Sequence, residues 1–439
     1  MKLSQFNITS QENENKYILY NTFSTGLVTL DKETYEKIIV NKDFADFSGL
    51  PYLVENGFVV EDDCDEVAKV EAVRSAIMKK TIIQNIVILT TTDCNARCYY
   101  CFEHGIDHVY MSKETADGIV EYCKKKYKEK RIAITWFGGE PLMNYDIIKY
   151  ITFKLIEAGY ELECHVTTNG SLVTDEMIDF FEKNYVRFSF QITIDSVHDE
   201  YSKVKRYVDI EPEKAYERTI NNVIALIKRG VRMMIRVNFA SSKIEHAKEV
   251  YKTLIDTLSV YDLTKVNIYM APLSLPGDKE IISNFHGDIE HPFLQMVKVQ
   301  REEGFPLHDL YNEENEISLL SAYNLQPSAI SCGMNLACRI VVNADGTLYK
   351  CHRLVGKKEF AVGNVFDGED ESNPHLNYFH DIHVTDEDCR KCDILPICQM
   401  GCSYSRFTYG KQQKCSRIRQ VKSELVRLYY HALLEEQNK

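Results

Sequence analysis

The sequence predicts an α/β protein: a parallel sheet with helices outside it, preceded by a small N-terminal unit and followed by a cysteine-rich tail. Three observations carry that expectation. From Asn85 to Met270 six β-rich runs alternate with helical segments, ahead of residue 85 the order is strand, strand, helix, helix, strand, and eight of the 14 cysteines fall between Cys332 and Cys415. Parallel strands need a crossover between each pair, so β-α alternation is their signature. A chain of 439 residues is also too long for one ordinary compact domain.

In the first unit, Tyr17 to Thr22 and Gly26 to Asp31 are β-rich and separated by a Ser-Thr-Gly turn, Lys32 to Val40 and Asp46 to Asn56 have helical character, and Gly57-Phe58-Val59-Val60 reads as a third strand closing the unit. The following strands are Asn85 to Thr90, Ile132 to Trp136, Leu162 to Val166, Phe188 to Ile194, Met233 to Phe239 and Val266 to Met270. Six such units are too few for a complete eight-fold barrel. Leu273 to Ile330 shows no repeat; it holds Pro276-Gly277, a helix around His291 to Arg301 and an acidic patch from Asn312 to Glu316, and reads as a connector.

Charge and composition narrow the function. A formal net charge of -13 repels a phosphate backbone, so no nucleic-acid partner is expected. The basic run Lys124 to Arg131 reads as the solvated face of a helix after Ser112. Met1 to Lys16 is polar, and no run approaches the ~20 apolar residues that cross a bilayer, so the expectation is a cytoplasmic protein without a membrane partner. Thiols stay reduced in that compartment, which makes metal or cluster ligation the default account of the cysteines.

Thr91 to Glu103 carries Cys94, Cys98 and Cys101 in a C-x3-C-x2-C spacing. Three thiolates hold three irons of a four-iron cluster and leave the fourth open to a small molecule with donor atoms. A zinc knuckle is the alternative, but structural zinc wants four ligands and no fourth follows nearby. The spacing, with an aromatic residue before the third cysteine, resembles the signature of the radical S-adenosylmethionine enzymes. That resemblance implies an open, partial (β/α)6 barrel with its chemistry at the C-terminal strand ends. It also implies that the open iron chelates S-adenosylmethionine and that one electron cleaves it to methionine and a 5′-deoxyadenosyl radical.

By the same resemblance Tyr100 lies against the cofactor, and Phe137-Gly138-Gly139-Glu140-Pro141 matches the G-G-E-P motif that meets the cofactor's amino group. Gly138 and Gly139 would let backbone carbonyls approach the ammonium while Glu140 fixes the turn. Asn169 in Thr168-Asn169-Gly170 and Thr193 in Gln191 to Asp195 would lie near the ribose or methionine portion, although Asn-Gly is also a common turn dipeptide. Relatives often read Asp-Gly-Pro, a spacer, His-Asp and a basic residue that clamps the cofactor carboxylate. Here the run is Asp195-Ser196-Val197-His198-Asp199-Glu200, followed by Lys203, Lys205 and Arg206. Arg206 is the expected clamp because guanidinium matches a carboxylate bidentately; Arg236 is the alternative, and His198 positions the loop.

The tail reads C-x13-G-x4-C from Cys332 through Gly346 to Cys351, then C-x2-C-x5-C-x3-C from Cys389 to Cys402, then Cys415, with Cys338 inside the first span. This resembles the SPASM extension of radical enzymes that act on peptides and proteins. It implies two closed auxiliary clusters, the first on Cys332, Cys338, Cys351 and Cys402, the second on Cys389, Cys392, Cys398 and Cys415, for three 4Fe-4S clusters in all. A pair of zinc sites is the alternative, since C-x2-C is also a zinc spacing. Cys64, Cys123 and Cys164 remain as small buried hydrophobes.

The N-terminal order resembles the winged-helix recognition element that binds the leader of a precursor peptide, often by adding it as a strand to an exposed sheet edge. The implied division is a leader-recognition unit at 1–85, a radical barrel at 86–272, a bridge at 273–331 and a SPASM domain at 332–439. The implied activity is maturation of a ribosomally made peptide through an intramolecular thioether or carbon-carbon cross-link. Its partners would be the precursor and an electron donor such as flavodoxin or ferredoxin. An anaerobic sulfatase-maturing enzyme is the alternative; those relatives usually start near the cluster motif and carry an Asp where this chain has His352. A non-catalytic electron carrier would explain the clusters but not the G-G-E-P barrel.

Overall fold

The computed structural model describes residues 1–78, 84–240, 243–273, 292–302, 320, 323–409 and 418–438. The chain opens with β1 (Lys2–Leu3), β2 (Asn7–Asn13), β3 (Lys16–Asn21) and β4 (Leu27–Asp31). Then come α1 (Lys32–Tyr35, continued by a wider turn at Glu36–Val40), α2 (Leu50–Glu55), β5 (Val59–Val60) and α3 (Glu66–Met78). Asp31 starts α1 by accepting from the Thr34 amide at 2.8 Å. β2, β3 and β4 form an antiparallel sheet with β3 in the centre. The strand expected to close this unit is only two residues long and pairs with β1 instead. β2 escaped the sequence reading because Ile8 is its one apolar residue, so its strand character comes from pairing with β3 rather than from alternation.

This unit is packed onto the tail. Val67 and Val70 of α3 join Phe6, Val384 and Leu395 in one apolar cluster. Arg74, 1% exposed, donates from Nε to the Asp381 carbonyl at 3.1 Å, and the Glu71 carboxylate accepts from the Val384 amide at 2.8 Å. On the other side lies the helix Ile418–Gln437, where Tyr429 meets Tyr20 edge-on and His431 contacts the Glu12 carboxylate at 2.9 Å.

The centre is a run of parallel strands in chain order: β6 (Gln84–Leu89), β7 (Arg131–Phe137), β8 (Glu161–Thr168), β9 (Arg187–Thr193), β10 (Arg232–Phe239) and β11 (Val266–Pro272). Between them run α4 (Lys113–Lys126), α5 (Tyr145–Glu157), α6 (Asp175–Asn184), α7 (His198–Lys205), α8 (Pro212–Lys228) and α9 (Ile244–Leu258). The period of two along each strand divides the faces. Ile132, Ile134 and Trp136, Leu162 and Val166, and Ile235, Val237 and Phe239 are buried in the helix-covered core. The intervening Thr135, His165, Thr167, Gln191, Thr193, Arg236 and Asn238 are half-buried and line the inner face of a partial barrel. α4 begins at Ser112, whose hydroxyl accepts from the Thr115 amide at 3.1 Å. The basic run is not one solvated face: α4 ends at Lys126, which pairs with Glu369 of the tail, Tyr127 is buried, and Arg131 opens β7.

The tail extends the same sheet. β12 (Arg339–Val342) lies parallel beside β6, and β13 (Thr347–Tyr349), β14 (Gly363–Asn364) and β15 (Gly368–Glu369) follow antiparallel, for a 10-stranded sheet. Of the connector, the helix Pro292–Glu302 falls where one was expected; Pro276-Gly277 and Asn312 to Glu316 lie outside the described residues. Cys123 and Cys164 are buried, and Cys64 is half-buried. No described helix is long and apolar enough to cross a membrane.

Candidate active site

The loop after β6 is anchored at its base by Thr91 and Thr92, whose hydroxyls donate to the Val109 and Asp107 carbonyls at 2.9 and 2.6 Å. Beyond that anchor the thiols of Cys94, Cys98 and Cys101 are electrostatic neighbours. Burial pushes Cys94 up to about 12 and Cys101 to about 11. Such thiols ionise only when a cation compensates them, as ligation of iron would. Their grouping on one part-buried loop fits a cluster held by three cysteines.

The turn after β7 lies directly on this loop. A Cβ on Gly139 would stand 2.2 Å from the Asp93 carbonyl oxygen, and one on Gly138 2.1 Å from that of Thr91. The Gly139 and Glu140 amides donate to those same two carbonyls, of Thr91 and Asp93, at 3.1 and 2.9 Å. The two bare residues therefore let the turn pack backbone to backbone against the cysteine loop. Glu140 is fully buried, and its carboxylate accepts from Thr168 Oγ1 at 2.7 Å and from the Asn169 and Leu142 amides at 2.8 and 3.1 Å. Burial pushes its pKa up to about 7 in spite of those bonds. Glu140 thereby ties the ends of β7 and β8 together and fixes Asn169, whose Nδ2 donates to Asn95 Oδ1 at 2.7 Å and lies 3.8 Å from Cys94 Sγ. Thr193 ends β9 on the inner face, in register with Arg236.

A buried triad adjoins the loop. Lys205 Nζ donates to Asp195 Oδ2 and to the Tyr100 hydroxyl, each at 3.0 Å, and Tyr100 also donates to Asp195. The Asn238 amide donates to the other Asp195 oxygen at 2.9 Å. Burial opposes the charge on Lys205, but Asp195 and Tyr100 outweigh it and hold the ammonium well above its ordinary range. Arg206, the expected clamp, is exposed: it ends α7 in the left-handed region at φ 52° and donates from Nε to the Lys203 carbonyl at 3.3 Å. Lys205, one residue earlier, is the buried cation bonded to Tyr100 of the cysteine loop. The signal for it was helical spacing, since Tyr201 and Lys205 are four apart and both buried on α7. Arg236 donates to Asn238 Oδ1 at 2.7 Å inside the barrel, and His198, at φ 51°, packs its ring 5.0 Å from that of Tyr216.

In the tail, the Cys351 thiol interacts with those of Cys402 and Cys332, while Cys338 interacts with Lys350, Arg339 and Lys126. His352, next to Cys351, has its ring centroid 5.0 Å from Phe137 and 5.8 Å from Phe102 of the cysteine loop. The first tail group thus faces the barrel mouth. Burial, then Arg353, Arg339 and Arg236, push His352 down to about 4. Cys389, Cys392 and Cys398 sit on successive short turns, with the Cys392 amide donating to the Cys389 carbonyl at 3.1 Å. Gln399, Met400 and Gly401 follow at φ 49°, 68° and 74°. Three left-handed residues in a row, two of them not glycine, mark a backbone that its surroundings over-determine. An Arg406 N–H donates to Cys389 Sγ at 3.0 Å, as it would to a thiolate ligand. Cys415 lies outside the described residues.

Residues 88–254 match the family described as the Radical SAM superfamily. Over 221 residues the chain is 24% identical to the radical SAM cyclopropyl synthase TigE of Paramaledivibacter caminithermalis, covering 41% of this chain and 46%, about half, of that relative. It is also 24% identical over 343 residues to the cysteine-type anaerobic sulfatase-maturating enzyme of Clostridium novyi, covering 71% of this chain and 85% of the relative. In fold it is similar to Streptococcus suis SuiB bound to the precursor peptide SuiA, with a TM-score of 0.52 at 13% identity, over 95% of this chain and 99% of SuiB.

Proposed function

The chain is a radical S-adenosylmethionine enzyme with a SPASM-type C-terminal region, and from that premise we propose that it matures a ribosomally made precursor peptide by closing a thioether or carbon-carbon cross-link within it. When bound on Cys94, Cys98 and Cys101, a four-iron cluster supplies the electron that cleaves S-adenosylmethionine to methionine and a hydrogen-abstracting 5′-deoxyadenosyl radical. The chain's own side chains do the rest. Glu140 holds Asn169 at the loop's edge, and Lys205, with two of its three N–H donors on Asp195 and Tyr100, keeps one for a cofactor carboxylate. Thr193 and Arg236 line the inner face where the substrate carbon is presented. Phe102, Phe137 and His352 fill the space between the cysteine loop and Cys351 and keep water from a radical formed there. The tail cysteines would hold two further clusters, the first on Cys332, Cys338, Cys351 and Cys402 and the second on Cys389, Cys392, Cys398 and Cys415, which would supply electron-accepting capacity for the oxidative bond closure.

One observation carries the peptide substrate. β4 pairs with β3 on one side, and among the described residues no strand pairs with its other side. An open edge of this kind takes a leader as an added strand. The fold shared with SuiB, which was solved with a precursor peptide, extends over 95% of the chain and supports the same reading. Sulfatase maturation remains the second reading because the Clostridium novyi relative spans 71% of this chain; His352 stands against it where such relatives usually carry an Asp.

The test is anaerobic turnover with S-adenosylmethionine, a reductant and any short precursor peptide found encoded beside this gene. The expected product is lighter than the precursor by a pair of hydrogens and forms together with 5′-deoxyadenosine. An unchanged precursor, alongside formylglycine on a sulfatase peptide, would overturn the proposal in favour of the second reading.

A further inference from the structure

Arg406 spreads its guanidinium over the turns around Cys389 and after Cys398. From the helix Ser403–Tyr409, Nη2 donates to Cys389 Sγ at 3.0 Å, Nε to the Met400 carbonyl at 2.5 Å and Nη1 to Asp386 Oδ2 at 3.2 Å. Its side chain is 13% exposed. Asp386 in turn accepts from the Cys389 amide at 3.2 Å through its other oxygen. The same side chain therefore pins the Cys389 end of the loop, through the thiol and Asp386, and the left-handed stretch after Cys398, through Met400. Phe6, Val67, Val70, Val384 and Leu395 pack beside Cys389 and Met400 and keep the surroundings apolar, so a charge there acts with little screening.

A guanidinium stays charged at any working pH. An N–H bond to a ligating sulfur withdraws electron density from it, and a nearby positive charge favours the state that carries the extra electron; both raise a cluster's reduction potential. We infer that Arg406 is a positioning residue that sets the second auxiliary cluster as an electron acceptor by donating an N–H to Cys389. The inference rests on the reading of Cys389 as a cluster ligand. Asp386 offsets part of the arginine's charge, so the N–H···S bond carries most of the effect. Lysine, which retains the charge but lacks the planar fork, should restore only part of it.

The test is a potentiometric titration of the anaerobically reconstituted full chain, followed by electron paramagnetic resonance. A background in which Cys94, Cys98 and Cys101 are alanine leaves only the auxiliary signals. In Arg406→Met the second cluster's midpoint should fall far enough to change its oxidised-to-reduced ratio at fixed ambient potential about tenfold, or roughly 59 mV for one electron. Arg406→Lys should lie between, and the first auxiliary midpoint should not move. Equal midpoints in wild type and Arg406→Met, with both clusters loaded, would overturn this inference alone. A wild-type background with only one auxiliary cluster would overturn the ligand reading and the inference with it. If Arg406→Met fails to load, Arg406→Lys decides: a wild-type midpoint there overturns the N–H···S role, and a lowered one supports it.

Discussion

Gly139→Ala tests the contact that joins the turn after β7 to the cysteine loop. The added Cβ would lie 2.2 Å from the Asp93 oxygen, 2.5 Å from its carbon and 2.9 Å from the Thr92 oxygen. All three are backbone atoms, so no rotamer change relieves the clash. To restore ordinary contact one of the two segments must retreat by about 1 Å. If the segments hold, the strain of overpacking costs about 1–3 kcal/mol. If instead the loop yields, Cys94 moves with Asp93, and a displacement of about 1 Å is worth about 100-fold in rate. In the first case the melting temperature falls; in the second, formation of 5′-deoxyadenosine by the iron-loaded variant should fall about 100-fold, measured by chromatography against wild type at equal iron content. Gly159→Ala is the control: at φ 82° its Cβ meets nothing within 4 Å, so it costs only the ~1 kcal/mol of a left-handed backbone and leaves cleavage unchanged. A Gly139→Ala enzyme with full iron, an unshifted melting temperature and cleavage within about twofold of wild type would refute the packing argument.

Three further outcomes concern Lys205, Arg206 and His165. Lys205→Met strands the Asp195 carboxylate and should cost about 3–5 kcal/mol in thermal unfolding, with part of the loss recovered by adding Asp195→Asn; Arg206→Gly should leave the KM for S-adenosylmethionine unchanged, and a tenfold rise would restore Arg206 as the clamp. His165, pushed down to about 4 by burial and then by Arg339, takes up a proton more readily when unfolded, at about 6.5. The stability of its neutral form is therefore complete above about 6.5 and is lost as pH falls toward 4, so by pH 5.5 wild type should lose about 1.4 kcal/mol more than His165→Gln. Parallel melting curves for the two proteins across that range would refute it.

The barrel was legible because its strands are long apolar runs separated by amphipathic helices: each of the six observed strands agrees with its sequence run to within two residues at either end. The N-terminal unit was only half legible. β3, β4 and α1 announce themselves by composition, but β2 is polar and exists because β3 offers it a ladder, and α3 is held by apolar residues from the far end of the chain. At the site, motif spacing named the cysteine loop and the Gly-Gly-Glu turn. It could not show that the glycines also pack on the cysteine loop, since the carbonyls they approach, Thr91 for Gly138 and Asp93 for Gly139, are distant in sequence. Lys205 was one of three neighbouring cations, and sequence favoured Arg206 on chemistry alone. The structure adds orientation: Arg206 ends the helix in a left-handed turn and is exposed, whereas Lys205 shares the buried face of Tyr201.

The way the first unit is mounted bears on how a leader would act. Its sheet ends at β4 on one side and β2 on the other, yet the unit is fixed to the tail by Arg74 on the Asp381 carbonyl, Glu71 on the Val384 amide and Thr22 on the Asp393 carbonyl at 2.5 Å. Those tail residues lie just before or within the segment that carries Cys389 and Cys392. A leader seated on β4 would therefore be held by an element bonded to the tail beside the cysteines, and the core peptide behind it would search only the volume its linker allows. Tethering of that kind raises the effective concentration of the core at the barrel mouth without any new contact to it. The same attachment means that Phe6, Val67 and Val70 cover the side of the tail beside Cys389 and Met400. Removing the unit would accordingly expose the second cysteine group as well as abolish the β4 edge. Loss of modification after such a truncation then identifies a leader site only if the second cluster is shown to survive it, which makes a change confined to the outer edge of β4 the sharper probe.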